Sequence, residues 1–309
     1  MSQPAPARRV ILSGGSGFLG RAIAQNLSES PGGYEVVRLV RGAPASDNEI
    51  AWDPLAGRLD GARVAGAHAF IHLSGENIGG SRWSDRTKRA ILESRTTSTT
   101  LIATTIAAMT PKPAVFLCAS AIGYYGADRG DEELTESSSL GTGFLASVCE
   151  AWEAATLPAR EAGVRTASLR FGPILGKGGG PLPKMLPVFR MGLGARIGSG
   201  TAVMSWVGLE DAARAVRFVL EQGSIEGPVN VVAPRPVTNA ELTEKLAKAL
   251  GKGTGIPVPA FILRAAYGEM AKETILASQR VVPQKLVDHG FEFAHGGLLG
   301  ALRHELGAA

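Results

Sequence analysis

Cysteine is nearly missing from this chain of 309 residues: Cys118 and Cys149 are its only two. Two thiols cannot build a disulfide framework, and without a second pair they make no zinc knuckle, so both are expected to be free. Long apolar runs are missing as well. No stretch approaches the ~18 to 20 residues of a spanning helix. The start, Met1 to Arg9, runs into an apolar segment without the hydrophobic region of a signal peptide. A soluble, cytoplasmic protein with no membrane partner is therefore expected. An excess of charge of one sign is lacking too. Lys and Arg number 32 against 28 Asp and Glu, and the basic residues are dispersed apart from pairs such as Arg8-Arg9. A net charge of +4 spread in this way gives no reason to expect nucleic acid as a partner.

What is present in excess is glycine, 40 residues where an average usage of ~7% gives about 22. The glycines have no three-residue period, which excludes collagen. With 45% hydrophobic and 19% charged residues, the chain is globular rather than disordered. Its length suffices for one large or two ordinary domains.

The first 170 residues alternate short β-branched runs with helical stretches, the pattern of βαβ units around a parallel sheet. Strands are predicted at Val10–Ser13, Tyr34–Val40, Ala69–Leu73, Ala114–Cys118 and Arg165–Arg170, with an excursion around Trp52-Asp53-Pro54. Helices are predicted at Phe18–Ser28, Asp85–Met109 and Gly141–Ala162. After Gly172 the texture changes to Gly and Pro clusters between shorter elements, with helices at Leu209–Gln222, Asn239–Leu250 and Ala260–Ala277 and a strand at Val229–Val232. The fold class expected is α/β: a Rossmann-like, doubly wound parallel sheet with a smaller C-terminal α+β cap. The cofactor domain is placed at residues 1–175, with later segments free to return to it, and the substrate or cap region at 176–309. The Gly192-to-Gly200 stretch, followed by Ser205-Trp206-Val207, reads either as a cap loop that closes over substrate or as a flexible connection.

Gly14, Gly17 and Gly20 fall after a predicted strand and at the mouth of a predicted helix. Such a turn aims bare backbone N–H groups and the positive end of a helix dipole at one point, and glycine lets a pyrophosphate approach closely. In dinucleotide sites the end of the second strand carries an acid for the ribose 2′-hydroxyl or a cation for a 2′-phosphate. Here no acid occurs between Glu35, which is too early, and Asp47, while Arg41 lies 21 residues beyond Gly20. NADP(H) is favoured over NAD(H) on that ground, the alternative being that Arg41 is an ordinary surface arginine.

Together these residues resemble the extended short-chain dehydrogenase/reductase superfamily, in particular its NAD-dependent epimerase/dehydratase-like branch, the SDR39U1-like or YfcH-like group. The landmarks span nearly the whole chain: the glycine turn at 14–20, Trp52-Asp53-Pro54, Leu73 through Asn77, Arg82-Trp83, Ser94-Arg95, Ser120 through Gly126, Phe144 to Ala146 with Trp152-Glu153, Leu175-Gly176 with Gly178 to Gly180, and Pro228 through Pro236. A C-terminal region of about 257–303 carries Gln279-Arg280, Pro283 and Gly290-Phe291. The resemblance implies that Gly14, Ser16, Gly17, Phe18, Leu19 and Gly20 line the pyrophosphate, and that Val40 and Arg41 line the adenosine phosphate. It places Leu73, Ser74 and Gly75 beside the cofactor after the third strand, Arg95 on the long helix, and Ser120 and Ile174 towards the nicotinamide. It also implies a small-molecule substrate, of which a nucleotide sugar is one candidate. His68 stands where relatives of this kind usually carry an acid.

Superfamily chemistry normally sets a lysine four residues beyond a tyrosine, because a free tyrosine titrates near ~10 and a proton must move near neutrality. The four tyrosines, Tyr34, Tyr124, Tyr125 and Tyr267, are followed at that distance by Arg38, Asp128, Arg129 and Ala271. At the corresponding helix the sequence reads Phe144-Leu-Ala-Ser-Val148 instead. The remaining catalytic candidates are Ser120, Tyr124 and Tyr125. Ser120 either faces the nicotinamide or forms a turn. The tyrosines either enter the cleft, Tyr125 with help from Arg129, or pack beneath the loop.

Two functional readings follow: an NADP(H)-binding oxidoreductase or nucleotide-sugar-epimerase-like enzyme with an atypical active site, or a non-catalytic NADP(H)-binding protein that senses redox state or binds a partner. Other signals are set aside. Gly172 through Gly178 lacks the spacing and hydroxyl of a Walker A loop, and no Gly-x-Ser-x-Gly elbow occurs. His68 and His72 would share one face but have no third ligand nearby, so no metal is expected.

Overall fold

A computed structural model describes residues 8–31 and 33–307. The expectation for the start of the chain, residues 1–7, lies outside the described residues. In chain order the first elements are β1 (Arg8–Ser13), α1 (Phe18–Ser28), β2 (Tyr34–Val40), β3 (Glu49–Asp53), β4 (Arg58–Leu59), α2 (Gly61–Val64), β5 (Ala69–His72) and α3 (Asp85–Ala108). They are followed by β6 (Val115–Ala121), β7 (Asp128–Leu134), α4 (Phe144–Ala154), α5 (Leu157–Glu161), β8 (Arg165–Phe171), β9 (Ile174–Leu175) and α6 (Leu182–Arg190). The last are β10 (Val203–Met204), β11 (Val207–Gly208), α7 (Leu209–Glu221), β12 (Gly227–Val231), β13 (Val237–Thr238), α8 (Asn239–Ala249), α9 (Ala260–Tyr267), β14 (Ser278–Val281), α10 (Gln284–Asp288) and α11 (Leu298–Leu306).

The main sheet runs β12-β8-β6-β5-β1-β2-β3-β4 and is parallel except for the antiparallel β3–β4 edge. Strands β5, β6 and β8 are covered on both faces, and their residues are almost all buried. This is why β5 and β6 read as largely apolar runs rather than alternating ones, while β8, equally buried, carries Thr166, Ser168 and Arg170 within it. Because β2 and β5 leave opposite sides of β1, the strand order reverses there, and a crevice opens beyond the carboxyl ends.

Three elements differ from the sequence reading. The excursion at Trp52 is strand β3, whose Leu39↔Ile50 pairing adds it to the sheet. Residues 141–162 form two helices: α4 ends at Ala154, and α5 starts anew with Pro158 in its first turn, where a missing N–H costs nothing. Residues 260–277 break at Gly268, whose φ of +59° no helix accepts, before a single π-helical turn at Ala271–Ile275.

The chain does not leave the first core after residue 175. Strand β12 pairs with β8, and Ala212, Val216 and Val219 of α7 share one buried cluster with Val10 and Leu12 of β1. A second core gathers Leu175, Leu186, Trp206, Leu246, Leu298 and Leu302. Ser205, Trp206 and Val207 are buried, and the Ser205 hydroxyl donates to Gln279 O (2.9 Å) and accepts from Val281 N–H (2.7 Å). Ser205 to Val207 is thus fixed between the C-terminal region and the main core, where Val207 pairs with Ile174. No helix among the described residues is long and apolar enough to cross a membrane.

Candidate active site

The parallel register brings the sequence-selected residues to one edge of the sheet. Ser13 lies level with His72 and with Leu39, His72 with Cys118, and Ser120 with Arg170. Gly14, Val40-Arg41, Leu73-Ser74, Ser120 and Ile174 therefore all sit at or just past the carboxyl ends of β1, β2, β5, β6 and β8.

The glycine turn is tight. Gly14 has φ +71°, and Gly17 N–H donates to Gly14 O (3.0 Å). A Cβ at Gly20 would meet Gly14 O at 2.2 Å, so the first turn of α1 packs directly on the turn that precedes it. Gly17 caps α1 without a side chain, leaving the first N–H groups of the helix for an anion. Ser16 is exposed, and Phe18 and Leu19 are half-buried. The second glycine cluster encloses the Phe18 ring: a Cβ at Gly176 or Gly179 would come within 2.3 or 2.4 Å of it.

At the end of β2, Arg38 is bound to Glu49 (2.8 Å), and its methylenes lie against Gly15. Arg41 is exposed at the strand's end. Beneath the turn, the buried His72 bridges Ser13 Oγ (2.5 Å) and Ser98 Oγ (3.0 Å), and burial, helped by Arg95, pulls its imidazole down to about 3. Arg95 donates to Ile91 O and Glu76 O (both 3.0 Å) and lies 4.9 Å over the Trp152 ring. Its guanidinium also covers Gly75, where a Cβ would meet Cζ at 3.1 Å.

At the ends of β6 and β8 is a polar platform whose centre the sequence reading did not include. Arg170, 3% exposed, donates from Nε to Glu153 Oε1 (2.7 Å), from Nη2 to Glu153 Oε2 (2.8 Å) and from Nη1 to the Tyr125 hydroxyl (3.0 Å). Burial works against the guanidinium's charge, but the Glu153 carboxylate outweighs it and holds Arg170 above its ordinary value. Ser120 donates to the same Glu153 Oε1 (2.7 Å). The Tyr125 hydroxyl donates to Asn230 Oδ1 (2.7 Å); the ring is fully buried, and burial pushes this phenol up. Tyr125 thus lies beneath the loop, with Arg170 beside it. Arg129 is bound to Glu132 (2.8 Å) and Ser139 O (3.1 Å). Tyr124 is half-buried, its ring centroid 3.4 Å from the Arg170 guanidinium, and its hydroxyl has no partner among the described residues. Arg170 and Glu153 carried one signal in the sequence: a full charge on a strand of the sheet or on the helix packed against it, where burial requires a partner.

A model of the NAD-dependent epimerase/dehydratase family matches residues 10–232, and a domain of unknown function, DUF1731, matches 258–305. The chain belongs to the NAD-dependent epimerase/dehydratase family. It is 41% identical over 293 residues to the epimerase family protein MT2273 of Mycobacterium tuberculosis, covering 95% of this chain and 96% of that protein. The crystal structure of human epimerase family protein SDR39U1 with NADPH superposes with a TM-score of 0.88 at 32% identity, covering 96% of this chain and 98% of that one. The structure of a nucleoside-diphosphate sugar epimerase from Corynebacterium glutamicum gives 0.81 at 36% identity, covering 97% of this chain and 58% of that one.

Within this epimerase-family chain, the helix that would carry a Tyr-x-x-x-Lys pair carries Phe144, packed edge-on against Trp83 (5.2 Å), and the buried Val148. Its N-terminus is capped from the C-terminal region, where Glu273 accepts from Phe144 N–H (2.8 Å) and Leu145 N–H (2.7 Å). Cys118 and Cys149 are free and buried, and burial pushes their thiols up to about 12 and about 11. Neither is a nucleophile at neutral pH. His68 lies apart from His72, with its ring 6.5 Å from Tyr34. A hollow of about 460 Å³ lined by Pro54, Gly57, Thr96, Thr97, Thr100 and Thr104 involves none of these site residues.

Proposed function

We propose that the chain is an NADP(H)-dependent oxidoreductase of the epimerase type, acting on a nucleotide sugar or a similar diphosphate-bearing small molecule. The observation that carries this reading is the Ser120–Glu153–Arg170 platform with Tyr124 stacked upon it, at the sheet edge where the glycine turn opens.

The residues fit the cofactor. The turn at Gly14, Ser16, Gly17 and Gly20 leaves bare backbone and the N-terminus of α1 for a pyrophosphate, with Gly14 packed on Leu73 and Gly20 on the turn itself too closely for side chains. Phe18 and Leu19 flank it. Val40 and Arg41 would hold the adenosine end, Leu73, Ser74, Gly75 and Arg95 its middle, and Ser120 and Ile174 its nicotinamide end. The group supplies hydride exchange when bound. The human relative crystallised with NADPH and the relative described as a nucleoside-diphosphate sugar epimerase support the cofactor and substrate class.

Ser120 commits its proton to Glu153, so only its lone pairs remain to accept a hydrogen bond. Arg170 grips both oxygens of Glu153 and so fixes this orientation. Tyr124, the tyrosine at this edge whose hydroxyl is not already bound, exchanges the proton that the Phe144/Val148 helix cannot. The test is NADPH turnover against a panel of nucleoside-diphosphate sugars and their keto forms. Y124F should lower kcat by about 10²-fold or more, the usual worth of a general acid–base group, while KM for NADPH stays within twofold. Equal loss in Y125F and Y124F would point to packing instead. Arg41→Ala should weaken NADPH binding by about 1.5 to 3 kcal/mol, the worth of a charge-assisted hydrogen bond, and leave NADH unchanged; an unchanged NADPH affinity removes Arg41 from the site.

The apolar Phe144/Val148 pair favours one rival, a non-catalytic NADP(H) sensor. Tight NADPH binding with no turnover on any member of the panel would establish it.

A further inference from the structure

We propose that Glu210, His295 and His304 form a binding site for one divalent transition-metal ion of the zinc class, fastening the C-terminal region of unknown function onto the helix that backs the cofactor turn. The three residues come from three separate elements. Glu210 is in the first turn of α7, His295 lies in the segment before α11, and His304 is on α11. Their ligand atoms all lie within 4.8 Å of one another. Glu210 Oε2 is 3.2 Å from His295 Nε2 and 3.0 Å from His304 Nε2, and the two rings stack at 4.2 Å with 26° between their planes.

The two Glu–His separations are close to those a small ion sets. Zinc bonds of ~2.0 to 2.1 Å in a tetrahedron set neighbouring ligand atoms about 3.3 Å apart. Two imidazoles and a carboxylate make a borderline donor set, which selects zinc, nickel or copper over calcium or magnesium. The side chains of Glu210 and His304 are 40% and 49% exposed, so a water or a further ligand can take the fourth position.

The backbone around the trio is already held. Asp211, 1% exposed, accepts from Ala294 N–H (2.8 Å) and His295 N–H (2.9 Å) and pairs with Arg214 (3.1 Å). Glu305, next to His304 on α11, has its carboxylate beside the backbone N–H groups of Lys177, Leu209 and Glu210. Outer contacts of this kind orient ligands before the metal arrives. The placement gives the site a purpose. Helix α7 packs on α1, and Lys177 belongs to the glycine loop that encloses Phe18, so an ion here would stiffen the support behind the cofactor turn.

The test uses the full-length protein, stripped with a chelator and titrated with Zn²⁺ by calorimetry, and with Co²⁺ by visible absorption. One ion per chain is expected, with Co²⁺ bands of a four-coordinate N/O site and a rise in Tm on zinc addition. H304A and H295A should each weaken binding about tenfold or more, while H289A, which alters an exposed histidine elsewhere, should bind as the wild type does. Melting of the metal-free variants within about 2 °C of the metal-free wild type shows that the fold is intact. Without a metal the same atoms make a carboxylate accepting two imidazole N–H bonds. Failure of the wild type to bind Zn²⁺ at about 0.1 mM, or undiminished binding in H304A and H295A, would establish that arrangement and overturn the proposal.

Discussion

His72 shows how a single buried residue ties the cofactor turn to the rest of the sheet. Ser98 donates its own proton to Ser94 O (2.6 Å), so it must accept from His72 Nε2–H, and His72 Nδ1 then accepts from the Ser13 hydroxyl. Ser13 Oγ in turn accepts from Leu73 N–H (3.2 Å), closing a loop between the ends of β1 and β5. A protonated imidazole would force the Ser13 hydroxyl to turn from donor to acceptor and find another partner for its proton. With its folded-state value held at about 3 by burial and Arg95, His72 stays neutral in the native state, whereas in the unfolded chain it gains a proton below its ordinary value of 6.5. The stability it contributes is complete above pH 6.5 and is lost as pH falls towards 3. Between pH 6.5 and 5 the loss should be about 2 kcal/mol. Urea unfolding of the wild type and of His72→Asn at the two pH values checks this: the variant should lose about 2 kcal/mol less on acidification, and parallel slopes would remove His72 as the cause. In the sequence His72 stands four residues from His68, on a shared face with no third ligand nearby. Its real partners come from β1 and α3, and nothing local marks them.

Among the elements, legibility depended on how local the determining signal is. The bounds of α1 and β2 match the sequence reading residue for residue, because glycine spacing, apolar periodicity and flanking residues agree there. Strand β3 was missed because its partner is β2 and its pairing is a tertiary fact. The break between α4 and α5 has a local mark, Pro158, which the single-helix reading of 141–162 ran through because the apolar spacing continues on either side of it. The glycine turn at 14–20 was readable as a turn between strand and helix, but not the grip of the Gly176-to-Gly180 loop on Phe18. That grip can be measured. A Cβ at Gly179 would lie 2.4 Å from Phe18 Cγ and 2.7 Å from its Cβ. Gly179→Ala should therefore cost about 1 to 3 kcal/mol by overpacking and weaken NADPH binding by shifting the start of α1. In a Phe18→Gly background the ring and the Cβ are both gone, so the same substitution should cost less than about 0.5 kcal/mol. A double-mutant cycle by thermal or urea unfolding reads the difference, and additive costs would show that the two loops do not support each other.

At the scale of the molecule, the change of texture after Gly172 marks a second core but not a separable body. Strand β12 returns to the main sheet beside β8, β14 pairs with β7, Glu273 caps α4, and α11 packs across β9 and β11. Contacts of this number between the two cores couple their unfolding. Leu302 tests the coupling, since it is fully buried in the second core on a helix that contributes nothing to the glycine turn. Leu302→Ala should cost about 2 to 5 kcal/mol from lost burial and the cavity left behind, and the loss should appear in one cooperative transition reported alike by tryptophan fluorescence and far-UV circular dichroism. NADPH at about 100 times its Kd should then add about 2.7 kcal/mol to wild type and variant alike, because the ligand binds only the folded whole. Two separate transitions in Leu302→Ala, with NADPH shifting only the later one, would mean that the C-terminal region unfolds by itself and that its ties to the cofactor side are weaker than their number implies.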